Sequence, residues 1–204
     1  MIRHLPRAGA AALTVLVLAA GCDNGVTDPR PSAEVNQLPA LAVKPGEPGS
    51  AAQRQLYQVR LSPLAGTTDH GTVLIEVVGG YLAVTVQAEG LDPLQHIPQH
   101  IHVNPTCAVG GGVLINLDAN LTVAGEAPSV GAAFPVANQA GVVKYHATRS
   151  LSDLLQAVNT YQHTSLTSVD DLLAWLDLDN RNVHMHLSAS PFTPMTCGPV
   201  DRIN

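Results

Sequence analysis

The clearest structural pattern in the sequence is Thr72-Val-Leu-Ile-Glu-Val-Val-Gly-Gly-Tyr-Leu-Ala-Val-Thr-Val-Gln-Ala88. It contains two runs of residues that favour β-strands, Thr72 to Val78 and Tyr81 to Ala88, on either side of Gly79-Gly80. Two glycines supply the positive φ angles that a tight hairpin turn requires. The stretch therefore predicts a β-hairpin.

Runs of similar composition recur along the chain, with turn residues between them. One strand is predicted ahead of the hairpin, at Leu56 to Leu61. Many short strands at close spacing are typical of an antiparallel sandwich or barrel, so the sequence predicts an all-β domain. The remaining predicted strands are His100 to Val103, Val113 to Leu117, Gly131 to Val136, Gly141 to Ala147 and Asn182 to Leu187.

Residues 150–177 interrupt the strand pattern with leucines at helical spacing. Ser150-x-x-Asp153 and Ser168-x-x-Asp171 each place a serine where it can cap a helix N-terminus. We expect two short helices joined by Tyr161 to Thr167, inserted between late strands.

The N-terminus has the features of an export signal. A basic head with Arg3 and Arg7 precedes an uncharged apolar run from Ala8 to Gly21, so residues 1–21 are predicted to be a signal peptide. The run is shorter than the roughly 20 residues of a membrane-spanning helix. Leu18-Ala-Ala-Gly-Cys22 resembles the lipobox of bacterial lipoproteins, in which the cysteine is lipidated; ordinary signal cleavage, leaving Cys22 as a free thiol, is the alternative.

The chain after this signal divides into a tether and a domain. Residues 22–51 are rich in Pro, Gly, Ser, Asn and Asp and have no apolar period, which predicts a flexible tether. Residues 52–204 form the predicted domain. The expected location is the bacterial cell envelope, with a lipid anchor on the periplasmic side or at the cell surface.

Net charge and cysteine content indicate which partners and which cellular compartment to expect. The whole chain has a net charge of −6. Without residues 1–21, which hold Arg3 and Arg7, 8 basic residues face 16 acidic ones, so nucleic acid is not an expected partner. Cys107 and Cys197 form an even pair that predicts one disulfide in an oxidising compartment, worth roughly 4 to 5 kcal/mol. Two free buried thiols are the alternative.

Histidines carry the main chemical signal. His100-Ile-His102 and His184-Met-His186 each place two imidazoles on one face of a strand, about 6.6 Å apart. If the two strands are neighbours, three or four ring nitrogens converge, and planar nitrogen ligation suits Cu(II). The alternative is that these histidines lie at a solvent face or a sheet edge and bind nothing.

Three segments resemble the copper,zinc superoxide dismutases, specifically their bacterial periplasmic branch. They are Gly90-Leu91 with His100-Ile-His-Val-Asn-Pro-Thr-Cys107, then Arg181 to His186, and finally Thr196-Cys-Gly-Pro-Val200; the resemblance covers about residues 55–200.

The resemblance implies a Greek-key β-barrel of eight strands, a disulfide between Cys107 and Cys197, and superoxide as substrate. It further implies copper on His100, His102 and His186. His184 is placed to be a fourth copper nitrogen.

The sequence departs from this family at the zinc site and at the substrate entrance. Residues 110–116 contain no histidine where the bridging ligand is expected, and Val123 stands in the place of a zinc histidine. Glu126 could replace the zinc aspartate, but zinc sites use about four ligands, so zinc is not expected. Pro194 stands where the family has the arginine that guides superoxide, which leaves catalysis an open question.

Two other readings stay open. A catalytically inactive relative would keep the barrel and disulfide. A chordin-type β-domain with a structural role is indicated by His100-Ile-His102 and Gly112-Val-Leu-Ile-Asn-Leu117. The Cys107 to Cys197 link favours the dismutase barrel.

Among the other histidines, His146 could replace the bridging ligand if the fold brings it near. His70, His96 and His163 are expected in loops.

Overall fold

The computed structural model describes residues 54–64, 66–107, 111–126, 134–187 and 190–204, and the side chains of all of these except 187 and 190–192. The predicted signal peptide, Cys22 and the predicted tether lie outside the described residues. Within the described ranges, no helix combines the length and the apolar character needed to cross a membrane.

The described residues form eight antiparallel strands in a single sheet, with two short helices. This confirms the all-β class with a short helical insertion. The sheet order is β5-β4-β7-β8-β1-β2-β3-β6. The strands are β1 (Gln55–Pro63), β2 (His70–Val78), β3 (Tyr81–Glu89), β4 (Gln99–His102), β5 (Val113–Asn116), β6 (Val143–Ser150), β7 (Asn182–Leu187) and β8 (Ser190–Arg202).

The predicted hairpin is formed by β2 and β3. Val78 pairs with Tyr81, and Gly79 and Gly80 between them have φ angles of 56° and 82°. Alternate residues of β2, including Val73 and Ile75, are fully buried, as expected for a strand with one face on the core.

The sheet curls, so that edge strand β6 approaches the segment that follows β5. The Tyr145 hydroxyl donates to the Leu117 carbonyl, and the Arg149 guanidinium donates to the Leu121 carbonyl at 3.1 Å. The enclosed core is almost entirely aliphatic. Its largest fully buried side chains include Ile75, Leu82, Ile97, Ile101, Ile115, Leu117 and Leu121.

Two helices follow β6, α1 (Leu151–Tyr161) and α2 (Val169–Leu176). Ser150 accepts a hydrogen bond from the Asp153 backbone, and Ser168 forms a reciprocal capping box with Asp171, as the sequence predicts. Leucines on the inner face of each helix are buried against the core.

The structure differs from the predicted strands at two places. Residues 131–133 of the predicted strand Gly131 to Val136 lie outside the described residues, and Val136 forms an isolated bridge to His96. Strand β8 was not predicted, because three prolines make its sequence unlike a strand. The backbone of β8 passes so close to that of β1 at Gly198 that only glycine fits. A Cβ at this position would lie 2.2 Å from the Arg60 carbonyl oxygen.

Candidate metal centre

The two His-x-His segments lie on neighbouring strands. In the antiparallel pairing of β4 with β7, His100 is opposite His184 and His102 is opposite Asn182. Residues that face each other across a strand pair project to the same side of the sheet. His186 follows two residues after His184, so all four histidines belong to one face.

The four imidazole rings form a compact group, which we call the histidine cluster. The ring centroid of His102 lies 4.3 Å from that of His184 and 5.8 Å from that of His186. The centroid of His100 lies 5.1 Å from that of His186 and 5.9 Å from that of His102. Phe134 borders the cluster, with its ring centroid 5.2 Å from that of His100.

Three members of the cluster are close enough to share one ion. One ring nitrogen from each of His102, His184 and His186 lies within 4.8 Å of the other two. Imidazole nitrogens bind zinc-sized ions at about 2.0 to 2.1 Å, which puts two ligands of one ion at most about 4.2 Å apart, so the spacing of the three nitrogens is comparable to that of a shared ion. His184 thus stands inside this trio, and His100 stands beside it.

The trio is buried and offers free nitrogen atoms. His102, His184 and His186 are only 5%, 2% and 5% exposed. Nε2 of His102, Nε2 of His184 and both ring nitrogens of His186 have no hydrogen-bond partner in the described structure. Buried polar atoms are nearly always paired, because desolvation without a partner is costly. Four such nitrogens in one place indicate a site for an external ligand, and a metal ion fits the donor set.

Hydrogen bonds assign the protons on two of the rings. Nδ1 of His102 lies 2.9 Å from the Gly111 carbonyl oxygen. A carbonyl can only accept, so Nδ1 carries the hydrogen and Nε2 keeps its lone pair. In metal-binding histidines, the ring nitrogen that does not bind the metal usually donates a hydrogen bond, for example to a backbone carbonyl, and this bond orients the ring.

His100 is oriented by a longer chain of hydrogen bonds. The buried carboxylate of Asp118 accepts the Thr122 hydroxyl, which in turn accepts the Asn116 amide Nδ2 at 2.9 Å. This fixes the Asn116 carbonyl oxygen towards His100, where Oδ1 lies 2.9 Å from Nδ1. Nδ1 of His100 is therefore the protonated nitrogen, and Nε2 is left for a ligand.

Burial keeps the cluster uncharged. The pKa of His100 is lowered to about 4, that of His184 to about 4 and that of His186 to about 3, mainly by desolvation and in part by the neighbouring imidazoles. The pKa of His102 is lowered too, mainly by burial. At neutral pH the rings are neutral and keep the lone pairs that metal ligation requires.

The other histidines that the structure describes lie apart from the cluster on exposed positions. His146 is on the outer face of β6, with Nδ1 3.0 Å from the Thr85 hydroxyl. Nδ1 of His96 lies 2.9 Å from the Phe134 carbonyl, and Nδ1 of His70 lies 3.2 Å from the Thr68 carbonyl. His70 is the first residue of β2, not a loop residue as predicted. His163 is exposed between α1 and α2.

Glu126, the candidate zinc carboxylate, is occupied by an ion pair. Its two oxygens accept from the Arg149 guanidinium at 2.7 and 3.0 Å, and Oε2 also accepts from the Val123 backbone at 2.9 Å. Burial acts to raise the pKa of Glu126, but these hydrogen bonds outweigh it and lower the pKa. The carboxylate is already satisfied by its structural partners.

The predicted disulfide joins Cys107 to Cys197, with their Cα atoms 5.7 Å apart. In the pairing of β7 with β8, Cys197 is opposite His184 and Pro194 is opposite His186. The disulfide and Pro194 therefore both border the histidine cluster.

Sequence reasoning missed the supporting residues of the cluster. Asn116 ends β5, and Asp118 and Thr122 follow it, without a recognisable motif. Their role depends on the contact of Asn116 with His100 on the neighbouring strand, which no local sequence signal shows.

Comparison with family models and with curated proteins found no match to this chain.

Proposed function

We propose that this chain is a copper-binding lipoprotein of the superoxide dismutase type, anchored through Cys22 at the bacterial cell envelope. The observation that carries the proposal is the buried group of His102, His184 and His186, whose free nitrogens have no protein partner. Neutral imidazoles suit copper, and His100 stands close enough to act as a fourth nitrogen or as a neighbour of the site.

The residues of the chain supply binding and orientation. Bound copper would supply reversible one-electron transfer to and from superoxide. Gly111 and Asn116 hold the rings of His102 and His100 in fixed tautomers, and burial of the trio keeps bulk water away from the nitrogens. The partly exposed ring of His100 marks the side of the cluster that a small substrate could reach.

A second candidate is a binding or structural domain without catalysis, either an inactive dismutase-like barrel or a chordin-type β-domain. The arrangement around Glu126 and Pro194 favours it. Arg149 holds Glu126, the carboxylate that could have stood in for the zinc aspartate, and Pro194 brings no positive charge to the edge of the cluster. A net charge of −6 also opposes attraction of an anion.

The deciding experiment measures copper content and superoxide dismutation on the purified, oxidised full chain after copper loading. The test variant is His102→Ala with His186→Ala, and the matched control is His70→Ala with His146→Ala, which also removes two imidazoles. We expect one copper per chain in the wild type and the control, and loss of copper in the test variant.

Each result decides between the candidates. Copper with dismutation that the test variant loses supports the enzyme. Copper without dismutation supports the binding protein and rejects catalysis. No stoichiometric copper in the wild type rejects the metal assignment and leaves the structural domain.

A further inference from the structure

The disulfide lies against the histidine cluster. Its two sulfur atoms and one imidazole nitrogen of the cluster form a second potential set of metal ligands. Sγ of Cys107, Sγ of Cys197 and a ring nitrogen of His184 all lie within 4.8 Å of one another. His184 belongs both to this set and to the trio with His102 and His186. While the disulfide is intact, its sulfurs have no thiolate charge and the set cannot bind a metal.

The segment that carries Cys107 is held in place by contacts other than the disulfide. The Asn182 amide, fully buried in β7, donates to the carbonyls of Asn104 and Thr106, the latter at 2.8 Å. The Arg181 guanidinium donates to the Val103 carbonyl at 2.7 Å. These bonds come from β7, which carries His184, and from Arg181 directly before it, so breaking the disulfide leaves Cys107 next to that ring.

We propose that reduction of the disulfide creates a second metal site, formed by the thiolates of Cys107 and Cys197 with the imidazole of His184. Two thiolates and one imidazole are the donor set of thiophilic ions, such as Cu(I) or Zn(II). The proposal goes beyond copper binding by the histidine cluster, since it concerns the reduced chain and a different set of atoms.

The reduction is a balanced two-electron step. An external dithiol attacks one sulfur of the disulfide through its thiolate, and its second thiol then releases the protein cysteine. The two cysteines gain two electrons and two protons, and the dithiol becomes a cyclic disulfide. Metal binding then releases both thiol protons to solvent. Cys107 is half-buried, whereas Cys197 is only 3% exposed, so Cys107 is the sulfur that a reductant reaches first.

The experiment titrates the full chain with Co(II), whose thiolate complexes absorb in the near ultraviolet by charge transfer. The chain is reduced with a dithiol, freed of it by gel filtration without oxygen, and compared with the oxidised chain. We expect one Co(II) with the thiolate band in the reduced chain and no such band in the oxidised chain.

Three variants separate ligation from loss of the cross-link. Cys107→Ser with Cys197→Ser also lacks the disulfide, but it should show no band. His184→Ala in the reduced state should keep the thiols and bind Co(II) roughly tenfold more weakly or worse. His146→Ala, which removes an exposed histidine of β6, should behave as the wild type.

Absence of the thiolate band in the reduced wild type at excess Co(II) overturns the proposal, whether or not circular dichroism shows a folded chain. Equal affinity in His184→Ala overturns the role of the imidazole. Because the copper experiment uses the oxidised chain, either proposal can fail without the other.

Discussion

Asn116 sets the orientation of the His100 ring, because its side-chain oxygen accepts a hydrogen bond from Nδ1 of that ring. Its amide is itself fixed by Thr122, whose hydroxyl is fixed by the buried Asp118. A carboxylate that can only accept thus determines, through two intermediate groups, which nitrogen of His100 carries the proton.

Replacing Asn116 should therefore affect copper binding in a graded way. Asn116→Leu removes the acceptor for His100 Nδ1, and we expect copper affinity to fall about 10- to 100-fold, as for other residues that orient metal ligands. Asn116→Asp keeps an acceptor for Nδ1 and loses only the donor to Thr122, so it should bind copper more tightly than Asn116→Leu. Competition titration measures both. Equal affinities in the two variants would show that the Nδ1 contact has no role.

Individual elements were predictable where the local sequence carries the signal. The β2–β3 hairpin follows from Gly79-Gly80 between apolar runs, and both helix starts follow from Ser150 and Ser168. Strand β8 was missed because its place in the sheet depends on pairing with β1 and β7, not on its own proline-rich composition. The same reason hides Asn116 and Asn182.

The helical insertion is linked to the segment before Cys107 by one side chain. Arg181 donates to the carbonyls of Trp175 and Leu176 at the end of α2, and also to the Val103 carbonyl. A cation at a helix C-terminus satisfies carbonyls that the helix leaves unpaired. Through Arg181, the insertion therefore helps to hold the loop that carries Cys107 in place.

The ion pair of Glu126 with Arg149 joins β6 to the segment after β5. It should stabilise the fold without contributing to metal binding. Both side chains are largely buried, at 18% and 14% exposed. We expect Glu126→Gln to lower the free energy of unfolding by about 1 to 3 kcal/mol and to leave copper and zinc affinity unchanged. Urea denaturation and metal titration measure the two effects, with the exposed Glu89→Gln as control. Weaker metal binding at unchanged stability would instead make Glu126 a ligand.

For the molecule as a whole, we expect the histidine cluster to make the metal-free protein sensitive to acid. The folded state keeps its buried imidazoles neutral down to a pKa of about 3 to 4 for His100, His184 and His186, whereas the unfolded chain protonates them near pH 6.5. Between these limits the unfolded state binds more protons, so stability rises with pH and is lost as pH falls below about 6.5.

Urea denaturation of the metal-free chain between pH 7 and pH 4 tests this dependence. We expect the free energy of unfolding to decrease steadily across that range, and the decrease to be shallower in His184→Leu with His186→Leu. The control His146→Gln keeps the hydrogen-bonding capacity beside Thr85 and should follow the wild-type curve. A slope identical in all three chains would place the acid sensitivity elsewhere.

How the chain covers β5 has a consequence for self-association. Residues 122–124 fold back along this short strand. The backbone N–H of Asn116 donates to the Thr122 carbonyl at 2.8 Å, and the backbone N–H of Ala124 donates to the Leu114 carbonyl at 3.0 Å. An edge strand with unpaired amides and carbonyls is a template on which another molecule can add a strand. Here those groups of β5 are already used within the chain, which guards this edge against aggregation by strand addition.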